Sequence, residues 1–263
     1  MSTQQLVFGD DRSEAADLVW GWIDHQPWPG WRISVVSAQP GEEGVSEDLQ
    51  PWDPESPRTL TQPAPESVVE HLRAAADPRT VLASCTDASL VVVGPRGTGV
   101  LKSMHIGSTT ESLLSANGSP APLAIIRSSE PTRHVVHLAD GSPQSKRAAE
   151  VLASLPWIGD CRITMVGLVD TVSDTEAGID HAVQTLHGTG ADLEVRRSGA
   201  IRGTYTMDVK AVLLDMLAEL EPDLVAIGTR GLGGIRRLLL GSTARAVVHH
   251  ANCSTLVTHA ADS

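Results

Sequence analysis

An internal repeat constrains this chain more than any other feature. GPRGTGVLKSMHIGST in the first half and GTRGLGGIRRLLLGST in the second both obey Gly-x2-Gly-x9-Gly-Ser, so Gly94, Gly97, Gly107 and Ser108 recur in order as Gly228, Gly231, Gly241 and Ser242. With glycine at about 7% of residues, three fixed glycines followed by Ser or Thr match by chance at roughly one start point in twenty thousand. Two matches in equivalent surroundings mark a duplicated unit. Each loop follows a β-branched apolar run, ASLVVVG or PDLVAIG, of the kind that parallel sheets bury on both faces.

The flanks repeat as well. PWPGWRISVVSAQ matches PWIGDCRITMVGLVD, a second strand in each half. QLVFGDDRSEAADLVWGWI and HVVHLADGSPQSKRAAEVLASL each read as a strand, then Asp-x-Ser, then apolar positions at helical spacing, which is strand, N-cap and helix. PLAIIR and CSTLVTH close the halves as final strands. The β-α-β order points to a doubly wound α/β fold with a parallel sheet in each half.

The halves differ in the middle. The second offers TEAGIDHAVQTLHG as a helix, DLEVRRS as a strand and TMDVKAVLLDMLAELE as another helix. In the first, residues 39–66 hold six prolines, Trp52 and many acids where a helix should lie. Proline removes backbone donors and disfavours helix, so this stretch is expected to be an irregular excursion, with VVEHLRA as the third strand and PRTVLASC as the next helix. SSEPT, at Ser128 to Thr132, is the linker and puts the boundary near residue 130. The expected domains are residues 1–130 and 131–263.

Composition excludes several classes. A net charge of −12 and 3% aromatic residues supply neither the basic footprint nor the stacking platforms of nucleic-acid binders. The beginning, MSTQQLVFGDD, has no signal-like segment, and no apolar run approaches the roughly 18 residues of a membrane span. A cytoplasmic protein with no nucleic-acid or membrane partner is the expectation. Cys85, Cys161 and Cys253 are odd in number and widely spaced, which fits small buried hydrophobes rather than a disulfide framework or zinc site. His249 and His250 diverge by about 100° on a helix, so with Cys253 they make a poor metal site. Most tryptophans lie near the start of the chain, where core or partner packing is the expected role. Gly-x-Ser-x-Gly is absent, so there is no nucleophile elbow.

A glycine-rich loop at the carboxyl end of a strand is a natural anion cradle. Glycines let backbone N–H groups approach a phosphate, and the helix start after Gly241-Ser242-Thr243 adds free amides and its positive end. The Ser hydroxyl is expected at the N-cap. The competing reading is that Gly and Ser only make a tight helix start. A P-loop requires Gly-Lys, which the chain lacks, and the dinucleotide fingerprint follows the first strand of its unit, whereas these loops follow the fourth.

This spacing after a VVVG-type strand, with Asp-x-Ser after the first strand, resembles the universal stress protein family. The chain looks like a tandem member of its ATP-binding branch, and the resemblance covers most of both halves. It implies two Rossmann-like domains, similar to adenine nucleotide α-hydrolases, each an open five-stranded parallel sheet with helices on both faces. It implies ATP, with magnesium as the expected chemical companion of a triphosphate. The loop would hold triphosphate and ribose, while the acid after the first strand and a residue ending the second would contact the nucleoside. The second site would then use Asp140, Leu168, Gly228, Arg230, Gly231, Gly241, Ser242 and Thr243. The first would use Asp11, Ala38, Gly94, Arg96, Gly97, Gly107, Ser108 and Thr109.

Two roles stay open for Asp11 and Asp140, nucleoside contact or capping of the first helix. Arg236 and Arg237 can neutralise phosphates or face solvent. Pro95, Met104, His105 and the missing helix make the first site the weaker or differently shaped one. The leading function is an ATP-binding stress-response regulator with at most slow hydrolysis, since no strong general base is visible. An ATP-dependent hydrolase or transferase and a nucleotide-free protein-interaction scaffold are the alternatives. In the family the final strands commonly pair across domains, which implies an internal pseudo-dimer and a possible homodimer.

Overall fold

The computed structural model describes residues 4–41, 44–96, 106–115, 121–167, 172–196, 209–229 and 240–259. Contacts between α-carbons divide the chain into two compact units, Met1–Pro131 and Thr132–Ser263.

The first unit contains β1 (Gln5–Gly9), α1 (Glu14–Asp24), β2 (Arg32–Ala38), β3 (Gln50–Pro51), β4 (Val68–Ala74), α2 (Pro78–Ala83), β5 (Leu90–Val93), α3 (Ser108–Leu114) and β6 (Leu123–Ile125). Its strand order is β3-β4-β2-β1-β5-β6, parallel except for β3, which pairs antiparallel with β4. The expected five parallel strands are present, but the sheet is mixed. β3 is the correction: the excursion contributes a short edge strand, its Pro51 tolerated because an edge leaves one side of the ladder unpaired.

The second unit contains β7 (His134–Ala139), α4 (Pro143–Ser154), a 3-10 turn (Ile158–Asp160), β8 (Arg162–Gly167), α5 (Val172–Leu186), β9 (Asp192–Arg196), α6 (Val209–Leu220), β10 (Leu224–Gly228), α7 (Ser242–His250) and β11 (Ser254–Thr258). Its five strands, ordered β11-β10-β7-β8-β9, are all parallel. Both units are thus α/β, with mostly parallel sheets flanked by helices.

Strands β5, β7, β10 and β11 are buried along their whole length, as expected of strands covered by helices on both faces. Helix α1 buries Ala16, Val19, Trp20 and Ile23 on one stripe, and Trp20 stacks toward Phe8 of β1 with ring centroids 6.0 Å apart. Trp22, Trp28 and Trp31 form an edge-to-face cluster, and all three are buried. The early tryptophans, Trp52 apart, are therefore core. Cys85, Cys161 and Cys253 form no disulfide; Cys161 is buried as expected while Cys85 and Cys253 are half-buried, and burial pushes the Cys161 thiol up to about 12. His137 on β7 is enclosed, and desolvation pushes it down to about 4, so it is neutral at neutral pH. No helix among the described residues is long and apolar enough to cross a membrane.

Strand order reverses between β1 and β5 in the first unit and between β7 and β10 in the second. In open α/β sheets the crevice outside the carboxyl ends of the strands at that reversal is where ligands bind.

Candidate functional site

In the second unit β10 delivers Gly228 to this crevice and β7 delivers Asp140. After Gly228 the chain is pinned twice. Thr229 N donates to Thr258 O at 2.8 Å, and Gly241 N donates to Thr229 O at 2.6 Å. The loop's two ends are therefore held together at a neck. Arg245 N to Gly241 O, 2.9 Å, is the first bond of α7, so Gly241 is the N-cap and no side chain caps the helix. The expectation of Ser242 at the N-cap is corrected: Ser242 is the first helical residue and exposed, with Thr243 half-buried beside it. The opening amides of a helix have no intrahelical acceptor, so this start suits an anion.

The same neck recurs in the first unit, where Gly107 N donates to Pro95 O at 2.7 Å and Glu111 N to Gly107 O at 2.9 Å. Gly107 is again the N-cap without a side-chain cap, which moves Ser108 too from the expected cap to the first helical position. Ser108 is exposed and Thr109 half-buried, as in the second copy. Two differences separate the copies. Helix α3 has 7 residues against 9 in α7. Pro95 stands where Thr229 does, and without an N–H it cannot bond to the neighbouring strand; the β5–β6 ladder ends at Val93, whereas β10–β11 runs through Gly228.

The aspartates do not cap the first helices. Ser13 and Ser142 do, accepting from Ala16 N and Ser145 N at 3.1 Å each. Asp11 and Asp140 instead accept from the amides of those serines, at 3.1 and 2.9 Å. Asp11 is exposed and Asp140 half-buried. Ala38 ends β2, half-buried, and Arg96 is exposed just past Gly94. Gly97, Leu168, Arg230, Gly231, Arg236, Arg237, Met104 and His105 lie outside the described residues.

Gly228 is explained by packing before any ligand is invoked. A Cβ there would sit 2.6 Å from Gln144 Cβ and 2.9 Å from Ser145 N, at the start of α4. Gly178 of α5 similarly lets that helix cross the turn after β7, since its Cβ would fall 2.5 Å from Gly141 N.

A residue not anticipated from sequence dominates the first crevice. Asp10, the first residue past β1, has a side chain 0% exposed. It takes Arg58 Nε at 3.0 Å and Nη2 at 3.1 Å, with Arg12 Nε 3.3 Å away. Arg58 comes from the excursion and also reaches Asp17 of α1 at 2.7 Å. The doubled acid Asp10-Asp11 was the only sequence trace of this arrangement. Among the described residues no group of three or more His, Cys, Asp or Glu is placed to hold a metal ion.

The strand order and the helices on both faces define a Rossmann-like α/β fold, with an acid and an uncapped helix start at the crevice where the order reverses. Residues 131–259 match the model of the universal stress protein family, so this part of the chain is a domain of that family. A Staphylococcus haemolyticus protein named for that family is 27% identical over 137 residues, 48% of this chain and 83% of the relative. Among solved structures, a universal stress protein from Archaeoglobus fulgidus aligns with TM-score 0.67 over 99% of this chain and 100% of its own, at 16% identity. A Pseudomonas aeruginosa protein named for the family aligns with TM-score 0.53 over 98% of this chain and 94% of its own, at 12% identity. At such identities the structural matches establish the fold.

Proposed function

We propose that this chain is an ATP-binding regulatory protein of the stress-response type, with the nucleotide held at the Gly-x2-Gly-x9-Gly-Ser loop of its second unit. The observation that carries this reading is the convergence at one sheet edge of half-buried Asp140 and the uncapped start of α7 behind the pinned neck at Gly241. The amides and the hydroxyls of Ser242 and Thr243 suit phosphate oxygens, and the carboxylate of Asp140 suits ribose or base donors. Magnesium would arrive with the triphosphate as its counter-ion. Arg230 and Gly231 join the site by their place in the motif, and Leu168 by its place just past β8. Control by ATP requires that two states of the protein bind it with different affinity, and hydrolysis at this donor set is at most slow.

The direct test is to denature protein purified from cells and identify any released nucleotide, alongside calorimetric titration with MgATP. Released adenine nucleotide and saturable binding are expected. A protein that carries none and binds none, even weakly, overturns the reading. Gly231→Val and Gly241→Val should abolish binding in folded protein, and binding that survives both would move the site elsewhere.

A further inference from the structure

The excursion is fastened along its length. Ala75 N donates to Ser46 O at 2.7 Å, Trp52 N to His71 O at 2.9 Å, Arg58 N to His71 Nε2 at 2.9 Å, and Gly30 N to Pro65 O at 3.0 Å. Thr61 binds Asp24 through its N at 2.6 Å and its hydroxyl at 3.0 Å. Arg12 Nη1 donates to Ser56 O at 2.8 Å, and the guanidinium groups of Arg12 and Arg73 lie 5.8 and 5.7 Å from the Trp52 ring centre.

We propose that residues 44–66 are a built-in occupant of the first unit's crevice, with Arg58 as the occupying cation, so that each chain takes one nucleotide, in its second unit. This rests on the ATP reading above. A carboxylate offers about four lone-pair sites. Three of those of Asp10 are taken by hydrogen bonds, Oδ1 from Arg12 N at 2.9 Å and Arg58 Nη2 at 3.1 Å and Oδ2 from Arg58 Nε at 3.0 Å, and Arg12 Nε stands 3.3 Å from Oδ2 as an ion pair. Asp10, which directly precedes the candidate contact Asp11, therefore offers a ligand's hydroxyl or amine only directions that Arg12 and Arg58 already hold. Arg58 is itself 14% exposed and committed to Asp17 as well, so displacing it would strand buried charge, which is strongly unfavourable.

The second unit differs at each point. Ala139 stands where Asp10 does and offers a cation no carboxylate, and Asp140, the counterpart of exposed Asp11, is half-buried and pairs with no basic side chain among the described residues. Where the first unit has the excursion, the second has helix α5, which meets the turn through the bare backbone of Gly178 and Gly141 and brings no cation to it. The second neck is tied to β11 through Thr229, a bond Pro95 cannot make.

MgATP titration of the full-length chain, with bound ligand counted per chain, tests this. Wild type is expected to bind one, Gly241→Val none, and Arg58→Met two. Should Arg58→Met unfold the first unit, as loss of its tryptophan fluorescence would report, the double variant Asp10→Asn/Arg58→Met removes both charges and is also expected to bind two. Two nucleotides on wild type overturn the built-in occupant and leave the ATP reading standing. One nucleotide retained at unchanged affinity by Gly241→Val puts it in the first unit and overturns the proposal. A folded double variant that still binds one shows that Arg58 does not close the crevice. No binding by wild type removes the ATP reading itself.

Discussion

Gly94 and Gly228 head the same motif, yet their surroundings differ enough to separate two reasons for glycine. A Cβ at Gly228 would lie 2.9 Å from the Ser145 amide, whereas the nearest atom to one at Gly94 is Arg96 O at 3.1 Å. Gly228→Ala should therefore destabilise the protein by about 1–3 kcal/mol through overpacking, and Gly94→Ala by less, as denaturant unfolding would measure. At Asp10 the expected cost is electrostatic: Arg58→Met leaves a buried carboxylate short of its partner, worth about 3 kcal/mol, and Asp10→Asn/Arg58→Met should recover most of it. His71 accepts from Arg58 N, so it must stay unprotonated on Nε2. Burial first, then Arg12, lower its pKa, with Arg58 acting the same way and Asp10 and Asp53 against. A lowered folded-state pKa gives stability that is complete above the unfolded value near 6.5 and drains as pH falls below it. The excursion should loosen in that window, read by Trp52 fluorescence against Trp52→Phe, and His71→Gln should flatten the dependence. His137 adds the same sign in the second unit: its pKa near 4 predicts a loss on the order of 3 kcal/mol between pH 6.5 and 4.

Elements were legible where local pattern decides them. Strands such as Leu90–Val93 and Leu224–Gly228 are continuous apolar runs because helices cover both faces, and the helices after β1 and β7 were announced by the Asp-x-Ser turn, although its aspartate was the candidate cap and its serine is the actual one. Ser142→Ala should cost about 1 kcal/mol, the usual value of an N-cap, measurable by thermal unfolding. The excursion was legible only as a place where helix fails. Its actual form depends on Arg58 meeting Asp10, 48 residues away, and no periodicity encodes such a pair. The site was partly legible for a related reason. Glycine spacing revealed the loop and the Asp-x-Ser turn revealed Asp11 and Asp140, but whether serine or the residue before it opens a helix turns on one dihedral. Gly107 and Gly241 took the N-cap with ψ of 162° and 153°.

At the scale of the molecule the duplication gives the halves separate reporters. Trp20, Trp22, Trp28, Trp31 and Trp52 belong to the first unit and Trp157 alone to the second. ATP at 100 times its dissociation constant stabilises the unit that binds it by about 2.7 kcal/mol. Calorimetry should therefore show a raised transition, while the unfolding followed by tryptophan fluorescence, dominated by the first unit, moves little. The necks at Pro95–Gly107 and Thr229–Gly241 carry a consequence for how such a chain can change over generations. Because each loop leaves and re-enters at one hydrogen-bonded point, its length and sequence are uncoupled from the strand before it and the helix after it, and doubling a closed loop's length costs only about 0.6 kcal/mol. A copied gene segment built this way can lose or swap its cargo in one half while the scaffold is inherited intact, and the same two positions are where an engineer would splice in a foreign binding loop.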